Sequence, residues 1–151
     1  MGGGTHVWGA AGQPIKVEYD AVYGQVTKLN TFQAGTGWDQ PTWPASPGAA
    51  DVTEWQYDAD TGLVNTKIYA DSRVVSLAYT ADGRIASRFW ARHYSLQPLE
   101  TRYSYDANTA ELTFIDYKGD EATPDVSLRH NRLGQIATVI DAVGTQSRFP
   151  R

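Results

Sequence analysis

Five residues of this 151-residue chain have side chains that suit a sugar-binding site. Trp38 and Trp43 flank Asp39 and Gln40 in a segment rich in proline and glycine, and Trp90 lies further along the chain. Indole rings offer flat apolar surfaces on which pyranose rings stack, while carboxylate and amide groups hydrogen-bond to hydroxyls. One interpretation is therefore a carbohydrate-binding site. The other is that the segment folds back and its tryptophans cap the apolar face of a sheet.

The histidines do not have the spacing of a metal or catalytic site. His6, His93 and His130 lie far apart, without the HxH or HxxxH spacing that marks zinc ligands. Ser95 stands two residues after His93, but the chain has no G-x-S-x-G elbow that would expose a serine nucleophile. We therefore predict no catalytic residue, no metal site and no enzymatic activity.

Of the common ligand-binding motifs, the calcium loop is incomplete and the phosphate-binding loops are absent from the sequence. "DADTG", from Asp58 to Gly62, is similar to the beginning of a calcium loop, but Tyr69 stands where the bidentate acid of an EF-hand is expected. Neither a P-loop nor G-x-G-x-x-G occurs, so no phosphate cradle is predicted. We expect no cofactor.

Composition narrows the class of protein. The net charge is -4, from 13 Lys and Arg against 17 Asp and Glu, and no basic run occurs, so nucleic acid is not an expected partner. With no cysteine, disulfides and thiolate metal sites are excluded. No apolar stretch reaches the roughly 20 residues that cross a bilayer, and the first residues lack the features of a signal peptide.

The elements that would position these residues are short repeated strands. Five units share an aromatic residue, Asp or Asn, turn residues and then an aliphatic residue: "YDAVYGQV" from Tyr19, "YDADTGLV" from Tyr57, "YTADGRI" from Tyr79, "YDANTAEL" from Tyr105 and "HNRLGQI" from His130. The carboxylate after the tyrosine can accept backbone N–H bonds two and three residues on, which closes an Asx turn. Alternation of apolar and polar residues on both sides predicts a β-hairpin for each unit.

Glycine supplies the late turn position in four units, at Gly24, Gly62, Gly83 and Gly134. A positive φ costs little there for a residue without a Cβ. In the repeat that begins at Tyr105, Ala110 occupies the position that glycine holds in the others. We expect Asn108 to take the left-handed conformation there instead.

The fold class that follows is all-β: an array of antiparallel hairpins forming a twisted or curled sheet, with no segment of helical period. We expect residues 1–14 to be a flexible or artificial N-terminal segment. Residues 15–151 would form a single repeat domain, interrupted by a Trp/Pro/Gly-rich loop at 32–51.

The repeats resemble the YD repeats of the RHS family, from about Ile15 to Arg148. The stretches "AYTADGRIASRFWAR" and "HNRLGQIATVIDAVGTQSR" are especially similar to that pattern. The departures are Thr80, His130 and Asn131, and the family's "DPxxGRF"-like self-cleavage core is absent. The remaining repeat tyrosines and aspartates match the family pattern: Tyr19, Tyr57, Tyr79, Tyr105, Asp20, Asp58 and Asp106.

The resemblance implies a hollow β-shell, found in bacterial toxin systems and cell-surface proteins, of which five units would be a piece of wall. We therefore expect a non-catalytic structural or scaffold module, secreted or at the cell surface as part of a larger protein. Its expected partners are flanking repeats or other copies of itself, joined through sheet edges. The alternative function is a carbohydrate-binding module that uses the exposed tryptophans.

Overall fold

The computed structural model describes residues 4–9, 12–94, 97–119, 122–142 and 144–147. Every helix or strand among them is a β-strand, and all pairings within the two units are antiparallel. The all-β, antiparallel fold class is thereby confirmed.

The chain divides into two compact units, Met1–Val74 and Val75–Arg151. In the first, each strand pairs with the next: β1 (Gly4–Gly9), β2 (Gly12–Tyr19), β3 (Val26–Phe32), β4 (Ala50–Tyr57) and β5 (Val64–Ile68). The second follows the same order, beginning at the boundary residue Val74: β6 (Val74–Tyr79), β7 (Ile85–Tyr94), β8 (Gln97–Tyr105), β9 (Leu112–Lys118), β10 (Val126–His130), β11 (Ile136–Asp141) and β12 (Gly144–Ser147).

The N-terminal segment differs from the sequence prediction. Residues 4–9 form β1, and residues 12–14 begin β2, so both lie within the first unit. Thr5, Val7 and Trp8 are residue types that favour strands, and β1 pairs with β2 through Thr5 and Val17. Residues 1–3 and 10–11 lie outside the described residues.

Each unit has a thin core. Phe32, Val75 and Leu99 are the most buried large apolar side chains among the described residues, and most strand positions are half-buried. A single sheet layer shields each side chain mainly with its cross-strand neighbours, so cross-strand pairs carry much of its stability.

The five predicted hairpins have their turns at the predicted places. In the longer turns the N–H of the aspartate donates to a carbonyl five residues on: Asp20 to Gln25 (2.9 Å), Asp58 to Leu63 (2.8 Å) and Asp106 to Glu111 (2.9 Å). The shorter turns span four residues, as from Thr80 to Arg84 (2.7 Å) and from Asn131 to Gln135 (2.9 Å). The register shifts at the aromatic residue before every one of these turns: Tyr19, Tyr57, Tyr79, Tyr105 and His130.

The left-handed residue of the fourth hairpin is Ala110, with φ of 64°, and the prediction for Asn108 is wrong. The reason is geometric: Ala110 donates its N–H to the Asp106 carbonyl at 3.0 Å, as Gly62 does to Asp58 at 2.8 Å, so both occupy the same turn position. A short turn that was not predicted, from Tyr69 to Arg73, has a second such residue, Ser72, also with φ of 64°.

The substitution Ala110→Gly is expected to raise the free energy of unfolding by about 0.5 to 1 kcal/mol, because relief of the left-handed strain exceeds the added flexibility of the unfolded chain. Urea unfolding followed by circular dichroism measures the change. Gly24→Ala is the matched control, since its Cβ would meet no atom within 4 Å and only the φ of 68° opposes it. Gly24→Ala should destabilise the protein, and a neutral result at both positions would contradict the strain argument.

Candidate functional site

The segment between β3 and β4, residues 33–49, folds into an aromatic cluster rather than an open loop. We define the Trp43 cluster as His6, Trp8, Phe32, Trp38 and Trp43. Trp43 lies at its centre, with ring centroids 4.3 Å from His6, 5.5 Å from Trp8, 5.4 Å from Phe32 and 5.2 Å from Trp38. Its edge-on contacts with Trp8, Phe32 and Trp38 have the favoured T-shaped geometry.

Two glycines bring the ends of this segment together. A Cβ on Gly35 would lie 2.3 Å from the Pro47 carbonyl oxygen, and one on Gly48 would lie 2.9 Å from that of Ala34. Both glycines have positive φ, 120° and 86°. The close approach of the two backbones therefore requires glycine at both positions.

The cluster covers one face of the first unit. His6, Lys16, Asn30 and Val52 are opposite one another across β1 to β4, so their side chains share a face, which we call the Asn30 face. Phe32 is two residues beyond Asn30 and lies on it too. The Trp43 cluster is therefore built on the Asn30 face.

The other face carries the apolar residues of β2 that the sequence alternation indicates, Ile15 and Val17. Thr5, Val17, Leu29 and Thr53 are opposite one another across the same strands, and we call this the Leu29 face. Ile15 is on it as well, two residues from Val17. The folded-back interpretation expected the tryptophans to cap this face, and they lie on the opposite one.

Of the sugar-binding candidates, four come together and the fifth lies in the second unit. Trp38 and Trp43 are half-buried, while Asp39 and Gln40 are exposed beside them. The Trp8 indole donates to the backbone carbonyl of Gln40 at 3.1 Å, which fixes the segment to β1. The assignment of these residues to carbohydrate stays a prediction.

Trp90 has its own partners on β7 and β8. Its indole N–H donates to the Thr101 hydroxyl at 2.9 Å, and the Arg88 guanidinium lies 3.7 Å from the ring centroid. One face of the indole therefore already has a cationic partner within the same unit. Arg92 lies at 6.0 Å from the same ring.

The turn aspartates act as backbone acceptors. Asp20 accepts N–H bonds from Val22 (2.8 Å), Tyr23 (2.7 Å) and Gln25 (2.7 Å). Equivalent pairs of backbone bonds reach Asp58 and Asp106 from two and three residues on, at 2.8 to 3.2 Å. These carboxylates close the turns, as the Asx interpretation predicted.

These bonds lower the pKa of all three carboxyl groups. The leading cause is the Tyr23 N–H for the pKa of Asp20, the Thr61 hydroxyl for that of Asp58 and the Thr109 N–H for that of Asp106. A donor favours the charged form of the acid it binds.

Acid is therefore expected to weaken the fold. A carboxyl group protonates near pH 3.9 in an unfolded chain and at lower pH in these turns, so its contribution is complete above the unfolded pKa and is lost as the pH falls through the folded pKa. The urea midpoint of the wild type should fall as the pH is lowered from about 5 through the folded pKa values of these carboxyl groups. The fall should be smaller in Asp20→Asn than in the wild type. An equally steep fall in both proteins would contradict this role for Asp20.

An open groove of about 690 Å³ lies beside the first two turns, lined by residues that include Tyr23, Trp55, Tyr57, Asp20 and Asp58. Asp20 and Asp58 already accept backbone N–H bonds. No group of three or more His, Asp or Glu side chains with metal-binding geometry occurs among the described residues.

Side chains link each hairpin to its neighbour at the turn edge. The Tyr57 hydroxyl donates to the Val26 carbonyl at 2.6 Å, across from the second hairpin to the first. In the second unit Tyr105 makes the equivalent bond to Ile85 at 2.9 Å. Burial, and then the negative charge of Asp20, raises the pKa of Tyr57.

A second link runs in the opposite direction. Gln25, just after the first turn, donates its amide to the Gly62 carbonyl of the next turn at 2.8 Å. Arg84 holds the matching position in the second unit, where its guanidinium donates to the Ala110 carbonyl and lies 4.3 Å from the Tyr105 ring centroid. These positions were missed from sequence, and their one signal is a long polar side chain directly after the turn glycine.

The fifth hairpin replaces the tyrosine with histidine. His130 Nδ1 lies 3.7 Å from Glu111 Oε2, so the side chain still points to the preceding turn. Through these links, Tyr57, Tyr105 and His130 each contact the hairpin before their own.

No protein-family profile matches the sequence, and no curated protein matches it. A structure of the Tc holotoxin pore of Photorhabdus luminescens is similar over 92% of this chain, with a TM-score of 0.41 and 15% identity. The chain spans 9% of the length of that neighbour. No helix among the described residues has the length and apolar character of a membrane span.

Proposed function

We propose that the chain is a non-catalytic structural module, a repeated wall segment of the kind found in RHS-type YD-repeat shells. In this role it belongs to a larger protein, secreted or at the cell surface, and its neighbours are further repeats or other copies of itself joined at sheet edges. Its role is to supply part of a sheet that encloses or supports another part of the protein, or that assembles with other copies of itself.

The observation that carries the proposal is the recurrence of one inter-hairpin bond. The hydroxyl of the repeat tyrosine donates to the first strand residue after the preceding turn, from Tyr57 to Val26 and from Tyr105 to Ile85. A bond made at the same position in more than one hairpin is what a stacked array uses, because each repeat is stabilised by its nearest neighbours. A ligand site has no need of such repetition.

A ligand screen tests the proposal against the carbohydrate-binding alternative. A ligand that binds the folded state at 100 times its Kd adds about 2.7 kcal/mol to stability, which raises the Tm by several degrees. We expect no saturable change in Tm or tryptophan fluorescence with a panel of mono- and oligosaccharides. A saturable rise that is lost in Trp38→Ala would overturn the proposal in favour of the glycan module.

A further inference from the structure

β1 is the first strand of the described sheet, and its outer edge faces away from β2. Among the described residues, β1 pairs with β2 and with no other strand. Gly4, Thr5, His6 and Val7 are all exposed, and Val7 is 55% exposed although it is apolar. Backbone N–H and C=O groups on such an edge are available to another strand.

This edge lacks the usual protection against pairing. Natural edge strands carry lysines, other charges, prolines or strong bulges that prevent strand addition. The β1 sequence, GTHVWG, has no Lys, Arg, Asp, Glu or Pro, and its register irregularity lies at its far end, between Val7 and Gly9. The regular part from Gly4 to Val7 is therefore open to a partner strand.

We infer that β1 pairs antiparallel with β1 of a second copy of this chain, about a two-fold axis through His6. Thr5 then lies opposite Val7 of the second copy, and Gly4 opposite its Trp8. A two-fold axis perpendicular to the sheet keeps equivalent faces on the same side. This inference rests on the self-assembling role proposed above and names its surface and partner.

Side chains at the seam agree with this pairing. Val7 is opposite Ile15 on the Leu29 face, so joining two copies places Thr5 of the second copy beside the exposed valine on that face and covers it. The paired strands bring no Lys, Arg, Asp or Glu side chain opposite its own copy. Backbone bonds supply the attraction and the alternation sets the register.

Light scattering with a charge variant tests the interface. The wild-type protein is expected to show a concentration-dependent mass of twice 16.6 kDa. Val7→Lys should remain at the single-chain mass, whereas Val22→Lys, at a turn position that is 78% exposed, should dimerise like the wild type. A wild-type monomer at high concentration, or a Val7→Lys dimer, would overturn the inference.

Cross-linking tests the register and does not depend on how Val7→Lys folds. The natural chain has no cysteine, so each introduced thiol is unique. Mixing Thr5→Cys with Val7→Cys under mild oxidation should give a disulfide heterodimer, since directly opposed residues lie within disulfide reach. Mixing Thr5→Cys with Val22→Cys should not, and equal yields in the two mixtures would overturn the register. If no cross-link forms, the proposed pairing of two β1 strands is wrong. The bonds between hairpins of one chain are tested separately, by the unfolding measurements.

Discussion

Tyr57→Ala is expected to lower the free energy of unfolding by about 2 to 4 kcal/mol, because it removes a half-buried ring and a hydrogen bond between two hairpins. The hydroxyl donates a hydrogen bond to the Val26 carbonyl at 2.6 Å, so the substitution destabilises both hairpins. Urea unfolding monitored by circular dichroism measures it.

Two controls separate the ring from the hydroxyl. Tyr57→Phe keeps the ring and should cost about 0.5 to 1.5 kcal/mol, the usual net value of one hydrogen bond. Tyr23→Ala removes a tyrosine that is 80% exposed at the first turn, and it should stay within about 0.5 kcal/mol of the wild type. Equal effects of Tyr57→Ala and Tyr23→Ala would show that the repeat position has no special role.

Trp43→Ala is expected to have an effect of similar size, about 2 to 4 kcal/mol, because the indole is the centre of the Trp43 cluster. It contacts four aromatic rings, and its removal leaves the segment between β3 and β4 without its main anchor to the Asn30 face. The measurement is again the urea midpoint, together with the near-ultraviolet circular dichroism of the packed indoles.

Asp39→Ala is the matched control for Trp43→Ala, since Asp39 lies in the same segment and is exposed. It should change stability by less than about 0.5 kcal/mol. A small effect of Trp43→Ala, equal to that of Asp39→Ala, would contradict an anchoring role for the cluster.

The hairpins could be predicted because their turn chemistry is local. Asp20, Asp58 and Asp106 bond to N–H groups a few residues away, so the sequence around each aspartate contains most of the turn. Ser72 was missed because its turn has no Tyr-Asp pair and no glycine, although Asp71 still accepts the Arg73 N–H at 3.1 Å. Ala110 shows that the geometry of the turn imposes the positive φ even on a residue with a Cβ.

The candidate site could be predicted only in part, because its contacts are not local. Alternation along β2 and β3 separates two faces but does not say which one a distant segment will cover. Phe32 lies on the same face as Asn30, and both Trp38 and Trp43 pack against its ring. The two tryptophans therefore lie on the Asn30 face. The links from Gln25 and Arg84 join residues 37 and 26 positions apart, a relation that follows only once neighbouring turns are placed side by side.

Residue-resolved hydrogen exchange of Tyr57→Phe against the wild type tests the coupling of neighbouring hairpins most directly. Loss of about 1 kcal/mol corresponds to about fivefold faster opening. We predict that amides of β2 and β3, as well as those of β4 and β5, exchange about fivefold faster in the variant. Faster exchange confined to β4 and β5, or no change in any of the four strands, would contradict a bond that joins one hairpin to the next.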